Sequence, residues 1–209
     1  MTNLLSCAKK KAHQSNLNML QYYNFNFIFA TFFGLGNLSK KFPGTIGSLI
    51  AIPVCYFISR MMSFAQNYVD TQTTIILPVI LVLVMFFVGV YTSHRYAILT
   101  KQTDPKEVII DEVVGQSLCI LITLPFTISM IYNAANTKGI VIYVDLVLII
   151  ALLSNFMLFR FFDILKPWPI SWCDQKIKGG LGIMLDDIVA AIFAIVVYFA
   201  GLFFIVDWL

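Results

Sequence analysis

The sequence predicts an all-α membrane protein: a bundle of about five membrane-spanning helices, with a short N-terminal helix that lies in the interface or re-enters the bilayer. Composition is the first observation, because 59% of the 209 residues are hydrophobic and 12% are Asp, Glu, Lys or Arg. A typical soluble domain carries about 25% charged residues. The second observation is that the apolar residues form runs of spanning length, which is about 20 residues for the hydrocarbon core. A water-soluble globule could not cover this much apolar surface.

Four runs are long enough to span, and a fifth, at 46–62, is shorter and contains Arg60. The four long runs are 74–93, 113–132, 140–159 and 188–206. The run at 25–35 is too short to cross, so it is assigned to the interfacial or re-entrant helix. Residues 1–24 are predicted to be a mobile N-terminal extension, without a cleavable secretory signal. Residues 25–209 are predicted to form a single membrane-embedded domain.

Composition also excludes several classes of protein. Intrinsic disorder requires low hydrophobicity and high charge, which this chain lacks. A formal net charge of +3 gives no basic stripe, which argues against a nucleic-acid partner. Cys7, Cys55, Cys119 and Cys173 are far apart, with no CxxC pair, so neither a zinc knuckle nor a redox pair is encoded.

The orientation follows from the Lys and Arg residues between the spans, because cytoplasmic loops are enriched in them. Their numbers in successive segments alternate as 5, 0, 3, 1 and 4; the residues are Lys9, Lys10, Lys11, Lys40 and Lys41, then Arg95, Lys101 and Lys106, then Lys138, then Arg160, Lys166, Lys176 and Lys178. The N-terminus and the segments 94–112 and 160–187 are therefore predicted to face the cytoplasm. Eight of the eleven acidic residues fall in these two segments. This clustering indicates a shared cation site at the cytoplasmic face.

The first motif is glycine-rich and stands where the first span begins. Gly44, Thr45, Gly47 and Ser48 follow Lys40 and Lys41. Free N–H groups at a helix start, with hydroxyls and lysines nearby, favour a phosphate group. An ordinary capped helix start with interfacial lysines explains the same residues.

The second motif runs from Asp104 to Gly115. Asp104 is predicted as a helix N-cap, with Pro105 at the first helical position and Glu107 completing a capping box. Asp111 and Glu112 would then lie about two turns into the helix, where the span begins. Acids are costly there unless a cation or a partner offsets them.

The third motif combines Asp163 and Lys166 with Asp186 and Asp187 further along the chain. Asp163 and Lys166 alone could be a surface ion pair, next to Trp168 as an interfacial anchor. One of the two later aspartates could simply cap the last span. A pair of carboxylates with further acids nearby is better explained as a set of oxygen ligands for magnesium. The sequence has no Cys-based phosphatase loop and no plausible serine triad, so metal-assisted phosphoryl chemistry fits the residues best.

In this order and spacing, the three motifs resemble the phosphatidylglycerophosphatase A family of bacterial membranes. The resemblance covers roughly residues 32–200, and the stretches that carry it are FPGTIGSLIAIP (42–53), DPKEVIIDEVVGQ (104–116) and FRFFDILKPWPISWCDQKIKGGLGIMLDDIVAA (159–191). It implies hydrolysis of the terminal phosphate of phosphatidylglycerophosphate to give phosphatidylglycerol, with Mg²⁺ as cofactor, in a bacterial inner membrane. Where the family often has glycine, this chain has Ala191, which removes no carboxylate.

By position, the resemblance implies the site residues Asp111, Glu112, Asp163, Asp186 and Asp187. Asp111, Asp163 and Asp187 are expected to supply metal oxygens, and Glu112 and Asp186 to act as ligand or base. Phosphate charge would be stabilised by Lys166 and by the first motif, namely Lys40, Lys41, Gly44, Thr45, Gly47 and Ser48. Direct attack by water and an aspartyl-phosphate intermediate are both compatible with this set.

The alternative from another class is a transporter or channel subunit with a cation site at the cytoplasmic face. Transport sites usually lie near the bilayer midplane, whereas here only Asp145 falls inside a predicted span, and no inverted repeat is visible. A purely structural membrane subunit would not need Asp186 and Asp187 or the glycine-rich segment. The lipid phosphatase is therefore preferred, with the bilayer and a lipid phosphate as its partners.

Overall fold

The computed structural model describes residues 25–39, 41–65, 71–139, 141 and 143–208, and these contain only helices and connecting turns. A short 3-10 turn, Leu35–Asn37, lies between the first two helices. The α-helices are α1 (Phe25–Ala30), α2 (Pro43–Ala65), α3 (Thr71–Thr100), α4 (Ile110–Lys138), α5 (Val144–Leu165), α6 (Ile170–Lys176) and α7 (Gly180–Trp208). The predicted all-α class is confirmed. The predicted extension at 1–24 lies outside the described residues, and the single domain over 25–209 stays a prediction.

Five of these helices are long and apolar enough to cross a membrane, as the sequence predicts. The qualifying stretches are Pro43–Met61, Ile76–Thr100, Ile110–Lys138, Val144–Leu165 and Gly180–Asp207. Most of them extend beyond the predicted runs. Apolar length identifies only the hydrocarbon part of a helix, whereas a spanning helix continues into the polar interface. Thus α3 continues past His94 and Arg95 to Thr100.

The predicted capping box at Asp104 and Glu107 is wrong. Helix α4 begins at Ile110, and residues 101–109 form an irregular connection. Tertiary contacts override the local signal, because the Ile109 N–H donates to the carbonyl of Ala30 at 3.0 Å and the Ile109 side chain is fully buried. Asp111 and Glu112 therefore lie in the first turn of α4. Their predicted place, two turns into a helix shared with Asp104, is not the observed one.

The last span also begins earlier than predicted. Helix α7 starts at Gly180, so Asp186 and Asp187 lie about two turns inside it and cannot cap it. The Gly179 backbone adopts a left-handed conformation, with φ of 73°. A Cβ at Gly180 would overlap the carbonyl of Val90 on α3. The glycine pair thus lets α7 begin in direct contact with α3. Because α7 begins there, Asp186 and Asp187 lie inside the helix bundle.

Helix α4 is the centre of the bundle and packs against α2, α5 and α7. Its buried residues include Val113, Val114, Gly115 and Cys119, while α2, α3, α5 and α7 expose many large apolar side chains on their outer faces. Such faces suit lipid rather than water. Gly115 allows α4 to pack closely on both α5 and α7, because a Cβ there would lie 2.7 Å from the ring of Phe159 and 3.1 Å from the carbonyl oxygen of Asp187. The packing of α4 on α5 and α7 therefore fixes where their acidic residues meet.

Candidate active site

Five helix ends converge at one end of the bundle, around a cavity of about 990 Å³. They are the starts of α2, α4 and α7 and the ends of α3 and α5, as expected for helices that alternate in direction. Seven acidic side chains line the cavity, namely Asp104, Asp111, Glu112, Asp163, Asp174, Asp186 and Asp187. Seven basic ones line it too, namely Lys41, His94, Lys101, Lys106, Arg160, Lys166 and Lys178. The acidic groups of the two segments thus meet at one end of the bundle.

Three carboxylates form the tightest group in this cavity. One oxygen from each of Asp111, Glu112 and Asp187 lies within 4.8 Å of the other two. Asp111 and Glu112 come from the first turn of α4, where the Glu112 N–H donates to Asp111 Oδ1 at 3.1 Å. Asp187 comes from α7 and is 3% exposed. We call these three residues the carboxylate cluster.

The carboxylate cluster fits a divalent cation. Glu112 Oε2 and Asp187 Oδ2 are buried and have no hydrogen-bond partner, and the same is true of Asp186 Oδ1 nearby. Buried carboxylate oxygens without partners are costly, and three crowded negative groups repel one another. Hard oxygen ligands are what Mg²⁺ binds in proteins. A cation among them would satisfy the unpaired oxygens and neutralise the repulsion.

Asp163, which the sequence predicts as a metal ligand, forms an ion pair with an arginine, and its metal role stays a prediction. Arg160 Nη1 donates to Asp163 Oδ2 at 2.5 Å and lies 4.0 Å from Glu112 Oε1. Both Asp163 and Arg160 are on the last turns of α5 and are mostly buried. Asp163 therefore lies beside the carboxylate cluster, with one oxygen engaged by Arg160.

Lys166 is engaged by two carboxylates of the site. Its Nζ donates to Asp186 Oδ2 at 2.5 Å and to Asp174 Oδ1 at 2.9 Å. Lys166 is the left-handed residue that ends α5, with φ of 43°, and Asp174 is brought to it by the short helix α6. Burial lowers the pKa of Lys166, but Asp186 and Asp174 outweigh this, so its pKa lies above the usual value. The Lys166 ammonium group thus holds Asp186 in place through an ion pair.

The glycine-rich motif divides into residues at the cavity and residues behind it. Gly44 lies against the site, because a Cβ there would overlap Glu112 Oε1 and crowd Arg160. Lys41 and Thr45 line the cavity. Gly47 packs on Ile109 and Glu112, and the fully buried Ser48 hydroxyl donates to the Gly44 carbonyl at 3.0 Å. Gly47 and Ser48 therefore shape the start of α2, whereas the predicted site residue Lys40 lies outside the described residues.

Arg160 is the site residue that the sequence reasoning missed. From the sequence alone, Arg160 counts only as one of the positive charges that predict the membrane orientation. Its position three residues before Asp163 is a signal that could have found it, because residues at i and i+3 share a helix face.

Comparison with known proteins identifies the family of the chain. The family model described as phosphatidylglycerophosphatase A matches residues 28–202, which include every described residue of the site. The chain belongs to the phosphatidylglycerophosphatase A family. Its expected class, a phosphatase embedded in a bacterial membrane, is thereby confirmed in preference to a transporter or channel subunit.

Individual relatives point the same way. Phosphatidylglycerophosphatase A of Escherichia coli K12 is 33% identical over 175 residues, which are 83% of this chain and 82% of that protein. The Haemophilus influenzae protein of the same name is 59% identical over 49 residues, 23% of this chain and 30% of that protein. A Bacteroides thetaiotaomicron protein, whose name proposes a phosphatidylinositol-3-phosphatase, is 26% identical over 169 residues, 81% of this chain and 88% of that protein. No solved structure matches the chain.

Proposed function

We propose that this chain hydrolyses the terminal phosphate monoester of phosphatidylglycerophosphate, leaving phosphatidylglycerol in the membrane. The observation that carries the proposal is the carboxylate cluster with its buried, unpaired oxygens, placed in a large cavity at the end of a membrane bundle. The substrate class follows the names of the Escherichia coli and Haemophilus influenzae relatives. A lipid phosphate suits this position, since its headgroup reaches the cavity while its acyl chains stay beside the apolar helices.

Asp111, Glu112 and Asp187 would hold Mg²⁺, with Asp163 beside them. The geometry favours Glu112 over Asp163 as the third ligand, because an oxygen of Asp163 is already engaged by Arg160. When bound, Mg²⁺ supplies charge neutralisation to the phosphate oxygens. Without Mg²⁺, the negative phosphate would be repelled by the negative carboxylates of the carboxylate cluster.

Asp186 is proposed to accept a proton from the attacking water. Lys166 holds its Oδ2, which fixes the orientation of the carboxylate, and its Oδ1 has no partner. A general base must be held within hydrogen-bond reach of the proton it takes. In this proposal Lys166 positions the base. The sequence predicts that Lys166 binds phosphate, but here phosphate binding is assigned to other residues.

The site is proposed to face the cytoplasm. The starts of α2, α4 and α7 and the ends of α3 and α5 adjoin the segments with the larger numbers of Lys and Arg, and such segments are retained on the cytoplasmic side. The substrate would then enter the cavity from the cytoplasmic leaflet of the membrane.

The proposed activity is tested by phosphate release from phosphatidylglycerophosphate by the detergent-purified chain, with Mg²⁺ or with EDTA. Asp111→Asn serves as the site variant, and Asp145→Asn, exposed at the opposite end of α5, is the matched control. We expect release that needs Mg²⁺, is lost in Asp111→Asn and is unchanged in Asp145→Asn. Phosphatidylinositol 3-phosphate is the comparison substrate, after the name of the Bacteroides relative. A folded wild type that releases no phosphate from phosphatidylglycerophosphate would refute the proposal.

The membrane face is tested with sealed vesicles of known orientation that contain the protein. We expect EDTA added outside to stop hydrolysis in inside-out vesicles and to leave right-side-out vesicles active. The reverse pattern would place the cavity on the outer face.

A further inference from the structure

Arg160 forms an ion pair with Glu112 of the carboxylate cluster, and among the described residues Asp163 is the one acceptor of a hydrogen bond from its guanidinium. A guanidinium has five N–H donors in a fixed fork. One terminal nitrogen, Nη1, donates to Asp163, whereas Nε is buried and has no partner. Lys166 differs, because its ammonium group already serves two carboxylates. Arg160 also lines the cavity, so a ligand that enters the cavity can reach the terminal nitrogens of its guanidinium.

The guanidinium is held in place from two directions. Asp163 fixes it along α5 at 2.5 Å. On the other side lies Gly44, where a Cβ would be 2.8 Å from Nη1 and 3.1 Å from Nη2. The missing side chain lets the first turn of α2 approach the guanidinium closely. Such a preorganised fork loses little conformational entropy when it binds an oxyanion.

The position of Arg160 matches what the proposed substrate needs. Its Nη1 lies 4.0 Å from Glu112 Oε1, so the guanidinium adjoins the carboxylate cluster. A phosphate group that approaches these acids is repelled by them, and an adjacent guanidinium offsets that repulsion. Arginine also matches the geometry of two phosphate oxygens through paired N–H donors.

On the basis of the function proposed above, we propose that Arg160 is the phosphate-binding residue of this site. The Nη2 donors and the second N–H of Nη1 bind non-bridging oxygens of the terminal phosphate, while Nη1 keeps its bond to Asp163. The inference reassigns to Arg160 the role that the sequence gave to Lys166. Gly44 is then required because it leaves room beside the guanidinium.

The test compares Arg160→Gln and Arg160→Lys with Arg95→Gln, an exposed arginine on α3 that does not line the cavity. Three quantities are measured on purified protein: KM for phosphatidylglycerophosphate, the inhibition constant of inorganic phosphate, and the Mg²⁺ concentration for half-maximal activity. The rise in unfolding temperature that inorganic phosphate produces in the presence of Mg²⁺ is a readout independent of turnover.

Arg160→Gln is expected to raise KM and the inhibition constant of phosphate by about 10- to 100-fold, the range for loss of charge-assisted hydrogen bonds. It should also abolish the stabilisation by phosphate. Arg160→Lys keeps the charge but loses the paired N–H donors. Its KM and its inhibition constant for phosphate should lie between those of Arg160→Gln and the wild type. The Mg²⁺ requirement should not increase, and Arg95→Gln should match the wild type.

A purely structural role for Arg160, as the partner of Asp163, predicts a different outcome. The Mg²⁺ requirement would then rise, while the inhibition constant of phosphate and the stabilisation by phosphate stayed at wild-type values. That result would overturn the inference with the proposed function intact. A wild type without phosphatase activity would instead remove the proposed function itself, and if Arg160→Lys fails to fold, the phosphate titration of Arg160→Gln decides.

Discussion

Asp187→Asn is expected to lower phosphate release by about 100- to 1000-fold, the rate equivalent of the several kcal/mol that a bound metal ion contributes to a phosphoryl transition state. Asp187 offers a buried oxygen without a partner to the carboxylate cluster. The amide that replaces it has nearly the same shape but no charge. The loss should therefore come from weaker cation binding and not from a change in fold.

The same variant is expected to be more stable than the wild type when no metal is present. Asp187, Asp111 and Glu112 hold oxygens within 4.8 Å of one another, and removing one negative charge relieves part of their repulsion. One kcal/mol corresponds to about 2–4 °C in Tm for a chain of this size. Thermal unfolding in EDTA should show a gain of a few degrees, and added Mg²⁺ should stabilise the wild type more than the variant.

Asp145→Asn is the control for both measurements, because it makes the same change at an exposed position on the opposite end of the bundle. It should alter neither phosphate release nor unfolding in EDTA. If Asp187→Asn retained wild-type activity, or lost both activity and metal-free stability, the metal-holding role of the carboxylate cluster would be wrong.

Gly44→Ala is expected to reduce phosphate release by about 10- to 100-fold, because displacement of catalytic groups by about 1 Å has effects of this size. The new Cβ would overlap Glu112 Oε1 and press on Arg160. Either the start of α2 or these two side chains must move. Overpacking of this kind also costs about 1–3 kcal/mol of stability.

Gly201→Ala is the matched control for Gly44→Ala. A Cβ at Gly201, inside α7, meets nothing within 4 Å. This substitution should leave phosphate release unchanged and slightly favour the helix. Equal activity of the Gly44→Ala protein and the wild type would show that the close approach of α2 to Glu112 and Arg160 is not needed for the reaction.

The main features of the fold could be predicted because a membrane-spanning helix requires a long, continuous run of apolar residues in the sequence. Twenty apolar residues in a row are sufficient to locate a span. The ends of the helices could not be read in this way. The local signals at Asp104 and Glu107 predicted a helix start that the contact between Ile109 and Ala30 prevents, and this contact joins segments about 80 residues apart in sequence.

The candidate site was predictable to a similar degree. Acidic residues at the end of a span are costly unless they have a function. This cost predicts site roles for Asp111, Glu112, Asp186 and Asp187. Which three of them converge depends on how closely α4 packs on α7 at Gly115. Arg160 and Lys166 could not be distinguished from charge and spacing alone. Different roles are proposed for them because they contact different carboxylates, and only the fold determines those contacts.

Binding of Mn²⁺, a paramagnetic substitute for Mg²⁺, tests the central claim most directly. Electron paramagnetic resonance of the purified wild type should show Mn²⁺ binding that Mg²⁺ displaces, and Asp187→Asn should bind it far more weakly while Asp145→Asn binds it as the wild type does. Wild-type protein that binds no Mn²⁺, or an Asp187→Asn variant that binds it with unchanged affinity, would contradict a metal site formed by Asp111, Glu112 and Asp187.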